Sequence, residues 1–174
     1  MNTQRPDQKY EYSIRHLTPN DWQIFREIRL ESLKKHPAFF SPSRDETKFS
    51  EIDWKERLSN RNSASFGLFS ENKIIGLTGI VREGNNPRAT KAHLVSSYIR
   101  EEYRRLGLSK LFFEARMKWA KDQGDIKTLI LEHRDDNLSS QKAHSKFGFT
   151  LVESNDQTWP DGSFRPSLRY QLNL

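Results

Sequence analysis

The chain has 174 residues, the size of one ordinary domain, and contains no cysteine, which excludes a disulfide framework, a thiolate nucleophile and thiolate metal ligands. Its formal net charge of +6 is concentrated: residues 61–120 hold 11 basic and 5 acidic side chains, while 1–60 hold 11 and 10, and 121–174 hold 7 and 8. No run approaches the ~18 apolar residues of a membrane span, and "MNTQRPDQKYEYS" has no apolar signal core, so a single cytoplasmic domain over 1–174 is expected.

Residues 1–9 are polar and are expected to be flexible. "YSIRHL" (12–17) reads as a strand. Segment 18–35 reads as a helix: Thr18 suits the N-cap, Pro19 the first turn and Asp21 the positive helix end. Trp22, Phe25, Ile28 and Leu33 recur there at roughly helical spacing. Two prolines make 36–46 irregular, and a short helix follows over 50–60. "ASFGLFS" (64–70) and "KIIGLTGIVR" (73–82) read as a hairpin. "GNNPRAT" (84–90) is a loop and "KAHLVSSYI" (91–99) a further strand. From Leu108, apolar residues fall at 108, 111, 112, 115 and 119, the stripe of an amphipathic helix that Gly124 ends. "IKTLILEH" (126–133) reads as a buried strand, and 136–148 as a helix capped by Asp136 or Asn137 and stopped by Gly148. Segments 149–154 and 165–174 read as closing strands, with 155–164 as a mobile loop rich in turn formers. The order β-α-α-β-β-β-α-β-α-β-β predicts an α/β (α+β) chain: a mixed, mostly antiparallel central sheet with helices on both faces.

The stretch Arg104-Arg105-Leu106-Gly107-Leu108-Ser109 lies in the charge-rich segment, between a strand and a helix. The first amides of a helix have no intrahelical partner and point out of its end. Gly107 lets the backbone come close to a ligand, and clustered arginines raise the local concentration of a polyanion. No GKS or GKT follows, so this is not a P-loop, and the other glycines of a dinucleotide fingerprint are absent. On these residues alone, an anion cradle and a plain basic turn are both open. Five scattered histidines show no ligand spacing, so no metal is expected.

Arg104-x-x-Gly107-x-Ser109 resembles the Q/R-x-x-G-x-G/A pyrophosphate motif of the GCN5-related N-acetyltransferases, the GNAT superfamily. "LILEHRDDNLSSQKAHSKFGF" is similar to that family's second signature. Leu129, Leu131 and His133 stand in its L-x-L-x-V places, Asn137 in its asparagine place and Gly148-Phe149 at its end. "IRHLTPNDWQIFREIRLESLKKHPAFF" resembles the family's opening, so the similarity spans nearly the whole chain. The resemblance implies the GNAT fold with a cofactor cleft between splayed fourth and fifth strands. It implies acetyl-coenzyme A as donor, a primary amine of a small molecule or protein as acceptor, and direct attack in a ternary complex. Arg104, Arg105, Leu106, Gly107, Leu108 and Ser109 would then hold the pyrophosphate. Ser97, Tyr98 and Ile99 would face the thioester, and Asn137 would bond the coenzyme arm or simply cap its helix.

Three positions depart from the pattern. Ser109 replaces glycine or alanine, His133 replaces valine, and His144 replaces the tyrosine that protonates the departing thiolate. His144 is therefore expected as the acid, with a packing residue as the plain alternative. His93, eleven residues before Arg104, is expected as the base, with an exposed strand residue as its alternative. Glu46, Phe39, Phe40 and Trp159 are expected on the acceptor side. A GNAT-fold sensor that binds acetyl-coenzyme A without transfer is the competing reading. Nucleic acid is not expected as a partner, because the aromatics are not interleaved with basic residues on one strand face. A homodimer is compatible with the family.

Overall fold

The structure is a computed structural model that describes residues 11–37, 39 and 45–174. The expectations for residues 1–9 and Phe40 lie outside the described residues. Seven strands form one sheet: β1 Tyr12–His16, β2 Ser63–Ser70, β3 Lys73–Arg82, β4 Lys91–Ile99, β5 Thr128–Arg134, β6 Thr150–Thr158 and β7 Phe164–Asn173. Their spatial order is β1-β2-β3-β4-β5-β7-β6. Every neighbouring pair is antiparallel except β4 and β5. The four α-helices are α1 Trp22–Lys35, α2 Glu51–Ser59, α3 Ser109–Gln123 and α4 Leu138–His144.

Local chemistry explains the boundaries. Thr18 N–H donates to Asp21 Oδ2 at 2.8 Å, while Arg15 grips both Asp21 oxygens at 2.8 and 3.0 Å. These bonds fix a 3-10 turn, Pro19–Asp21, from which α1 grows. Ser50 and Asp53 cap α2 reciprocally. Gly124, at φ +77°, ends α3 in a conformation that costs glycine little.

The sheet is covered on both faces. Phe25 and Ile28 of α1 and Trp54 and Leu58 of α2 pack with Leu77 and Tyr98 on one side. Phe113 and Ala120 of α3 pack with Ile80, Ala92, Leu94, Leu129 and Leu131 on the other. The buried face of α3 is Phe112, Phe113, Arg116 and Ala120, turned from the expected stripe; Leu111, Ala115 and Trp119 are only partly buried. A charged residue, Arg116, occupies the middle of the true face and hides it from a hydrophobicity pattern. β6 corrects a second expectation, since it runs to Thr158 through residues read as loop. It is an edge strand, exposed along its length. Its pairing with β7 supplies what its polar side chains do not announce.

One irregularity positions everything that follows. Val95 lies opposite Gly79 and Tyr98 opposite Leu77, so Ser96 and Ser97 together face a single residue of β3. This is a β-bulge, with Ser96 at φ +59°. β4 and β5 pair only over Lys91–Leu94 against Thr128–Leu131. Past that point both strands continue, to Ile99 and Arg134, without pairing to each other.

Glu46 belongs to the support of this bulge rather than to an open pocket wall. Arg29 Nε and Nη2 hold its carboxylate at 2.8 and 2.9 Å, and Arg57 Nη1 adds a contact at 2.9 Å. Arg29 Nη1 also donates to Ser96 Oγ at 3.3 Å. Glu46 and Arg29 are both buried. Burial opposes the Glu46 charge, but the two guanidiniums outweigh it and hold the pKa below the usual range. Removing one partner of a buried pair costs about 3–5 kcal/mol, so Glu46→Ala is expected to lose stability of that order in chemical denaturation; a loss under about 1 kcal/mol, the value of a surface pair, would contradict the burial. Because the folded pKa is the lower one, the Glu46 contribution is present above the unfolded pKa of ~4.3 and fades as pH falls through the folded value.

Candidate active site

The turn that joins β4 to α3 is anchored at both ends and open in the middle. Leu108 is buried with Leu68, Ile75 and Phe112, and Tyr103 packs against the same cluster. Between them Leu106 is exposed. Arg105 and Gly107 adopt φ +64° and +75°, so consecutive amides turn outward as an anion-binding concavity requires. Among the described residues, the amides of Arg105, Leu106, Gly107, Leu108 and Ser109 have no backbone partner. Ser109 begins α3, whose N-terminal dipole adds positive potential there. A Cβ built on Gly107 would meet nothing within 4 Å. The space over Gly107 is open.

The unpaired half of β4 lies beside this turn. Arg100 N–H bonds Ile75 O at 2.9 Å across β3. Strand alternation therefore turns the Ile99 N–H the other way, toward the open edge between β4 and β5. Ser97 Oγ is 2.9 Å from Thr78 Oγ1 and accepts from Arg116 Nη1 at 2.9 Å. Among the described residues Arg116 has no carboxylate partner, and burial pushes its pKa down to about 9. Tyr98 turns away from the cleft: its ring is buried with α1, and its hydroxyl donates to Glu31 at 2.7 Å. Burial and Glu31 together raise the Tyr98 pKa.

The two histidines proposed as acid and base do not meet. His93 sits on the paired part of β4, opposite Val81 and Ile130, with Nε2 3.6 Å from Glu83 Oε1. It precedes Ser97 by four residues, about 13 Å along a strand. His144 ends α4 and is buried against Phe149 and Tyr170. Its Nε2 is 3.1 Å from His133 Nε2, and His133 Nδ1 is 2.9 Å from Arg134 O. A carbonyl can only accept, so His133 carries its proton on Nδ1 and accepts at Nε2, and His144 donates from Nε2. His144 Nδ1 is then a buried lone pair without a partner among the described residues. Desolvation, helped by His133, lowers the His144 pKa to about 4. The expected acid therefore offers an acceptor at neutral pH.

Asn137 caps α4, its side-chain oxygen accepting from Ser140 N–H at 3.1 Å, which leaves its amide group as a spare donor. Phe39 and Trp159 do converge: the Arg134 guanidinium lies 4.9 Å from the Phe39 ring and 5.9 Å from the Trp159 ring. Asp136 and Asp161 each hold Arg134 at 2.6 Å. Sequence reasoning passed over Arg116, although a charge inside an apolar helix face was the available signal. It also passed over His36, which has no signal beyond being a histidine in the loop after α1.

A family model described as the acetyltransferase (GNAT) family matches residues 22–149. The chain belongs to the GNAT acetyltransferase family. Within it, an N-alpha-acetyltransferase of Saccharolobus solfataricus is 24% identical over 178 residues, covering 93% of this chain and 94% of the relative. A GNAT-family acetyltransferase structure from Streptococcus pneumoniae aligns with a TM-score of 0.77 at 20% identity, over 94% of this chain and 100% of that one. RimL, a ribosomal L7/L12 alpha-N-protein acetyltransferase solved in complex with coenzyme A, aligns at 0.74 and 14% identity over 97% of each chain. At such identities the structures speak for a shared GNAT fold. The GNAT chain also has a groove of about 380 Å³ along α3, lined by Glu114, Met117, Lys118, Lys121, Asp122 and Phe147, which includes none of the turn or bulge residues.

The histidine pair gives a test. Between the folded value of about 4 and the unfolded ~6.5, the unfolded chain binds more protons, so stability falls as pH drops through that window. His144→Phe is expected to flatten this slope in denaturation curves at pH 4.5 to 7. A His144 resonance titrating at 6.5 or above in the folded protein would contradict the buried, neutral ring.

Proposed function

We propose that this GNAT protein transfers acetyl from acetyl-coenzyme A to a primary amine by direct attack in a ternary complex. The observation that carries the reading is the run of amides at 105–109 that have no backbone partner among the described residues, beside the open edge of β4, in a chain of acetyltransferase family. In this reading those amides, with Arg104, Arg105 and the first turn of α3, hold the pyrophosphate. The coenzyme arm lies between the parted strands, within reach of the Asn137 amide and beside Ser97 and the Tyr98 backbone. Ile99 N–H donates to the thioester oxygen as it gains charge, the usual device for a tetrahedral intermediate. The attacking amine must first be neutral. It enters from the side of Phe39, Trp159 and Arg134. With only a lone pair at His144, the departing thiolate takes the proton shed by the attacking nitrogen, carried through water. Peptide N-termini lead the acceptor classes, because the Saccharolobus solfataricus relative is an N-alpha-acetyltransferase.

A second reading, a sensor that binds acetyl-coenzyme A without transfer, is favoured by the missing protonated acid at His144. Thiol release over a panel of amines that includes N-terminal peptides separates the two: turnover with any amine supports the enzyme, and tight binding with none supports the sensor. Gly107→Trp fills the open space over the turn and is expected to abolish acetyl-coenzyme A binding in calorimetry while the fold survives; unchanged affinity in a folded variant would refute the pyrophosphate assignment. Loss of a working general acid costs ~10²–10⁴ in rate. His144→Phe is therefore expected to change the single-turnover rate by less than tenfold, and a loss within that range would restore His144 as the acid.

A further inference from the structure

Arg104 opens the phosphate turn, yet its side chain faces the other way. Its Nε donates to Ile99 O at 2.8 Å and its Nη2 lies 2.8 Å from His36 Nε2. The guanidinium sits 5.9 Å from the Tyr98 ring. His36, just past the end of α1, lies 5.8 Å from Tyr98 and stacks on Phe39 at 6.4 Å. A guanidinium can only donate, so His36 is a neutral imidazole with its proton on Nδ1 and its Nε2 lone pair taken. Among the described residues, the groups facing it are Arg104 from the turn, Glu101 from the 3-10 turn before it, Lys35 on α1 and the Tyr98 ring from β4, whose hydroxyl is given to Glu31. Burial first, then Arg104, hold the His36 pKa below the ordinary value against the opposing pull of Glu101. One arginine thus joins the phosphate turn, the strand residue whose amide faces the cleft, and an imidazole beside the acceptor-side aromatic Phe39.

We propose that Arg104 latches His36 in the free protein and that coenzyme phosphates release it to act as the base for the acceptor amine. The proposal rests on the reading that coenzyme A binds at 105–109. A phosphate on that turn competes for the guanidinium, since a charge-assisted bond to phosphate is stronger than one to a neutral imidazole. Once Arg104 swings to the phosphates, His36 Nε2 is free and the Arg104 charge has left it, with Lys35 and Glu101 still opposing one another nearby. It then takes one proton from the substrate ammonium: an N–H bond of the ammonium breaks, one forms on Nε2, and the imidazolium later returns that proton to solvent. The neutral amine attacks the thioester carbon, the C–N bond forms and the C–S bond breaks, and the second proton, shed by the attacking nitrogen, passes through water to the departing thiolate. The base is thereby armed only when the donor is present.

The test follows the His36 imidazole by NMR across pH in the free protein, with saturating coenzyme A and no acceptor, and in Arg104→Gln. The free protein is expected to titrate below ~6.5, and coenzyme A is expected to raise that value. Arg104→Gln is expected to show the raised value without ligand and to gain little more from it. A His36 value unmoved by Arg104→Gln overturns the latch. So does a coenzyme-induced rise as large in Arg104→Gln as in the wild type, because the phosphate charge would then act without Arg104. Failure of coenzyme A to bind in parallel calorimetry defeats the underlying pyrophosphate reading instead, and the latch with it. In turnover, His36→Gln is expected to lower kcat at least tenfold at pH 6.5, less at pH 9, with the KM for acetyl-coenzyme A unchanged; an equal loss at every pH would leave His36 a packing residue.

Discussion

Two buried arginines, one from each face of the sheet, donate to neighbouring serines of β4: Arg29 to Ser96 and Arg116 to Ser97. They hold a bend that the chain would otherwise resist. Ser96 sits in the left-handed region, which costs a non-glycine residue about 1–3 kcal/mol. Arg29 carries its charge to this place already matched by Glu46. Among the described residues Arg116 has no such match, and a buried cation without a counter-charge is expensive. Without the bend, β4 would stay alongside β5 to its end, and the open edge carrying the Ile99 amide would close.

The end of β4 is tied down as firmly as its middle. Arg100 reaches Glu31 at 2.7 Å, Glu27 at 3.2 Å and Ile74 O at 2.9 Å, and the Tyr98 hydroxyl shares Glu31. Burial works against the Glu31 charge, but Arg100 and Tyr98 outweigh it and keep the carboxylate ionised. α1 is thus fixed to the same strand from which the phosphate turn springs. This places His36, at the end of α1, against Arg104 in the turn. Rigid elements carry the cleft, and the groups that would change partners on binding sit at its rim.

The fold was legible because its elements obey local rules. Helix and strand periods, the caps around Asp21 and Gly124, and the hairpin over 64–82 all stand in the sequence and in the structure. The turn at 104–109 was legible for the same reason, since strand, glycine and helix onset are adjacent in the chain. The parting of β4 from β5 was expected only through the family resemblance, because two serines facing one threonine is a property of register between strands and leaves no mark in composition. Arg116 and residues 155–158 were misread because burial of a cation and pairing of an exposed edge strand both run against pattern. The setting of His144 could not be read for a different reason: His133 and His144 are eleven residues apart, and the hydrogen bond between them emerges only when β5 and α4 pack together.

In the proposed function coenzyme A sits on the amides of 105–109 with its arm along the open edge of β4. Backbone amide NMR during titration with coenzyme A addresses it directly. The account predicts the largest shifts at Arg105, Leu106, Gly107, Leu108 and Ser109, with Ile99 and Asn137 moving in the same titration. Saturable shifts confined to the α3 groove around Met117 and Phe147, with 105–109 unmoved, would contradict it.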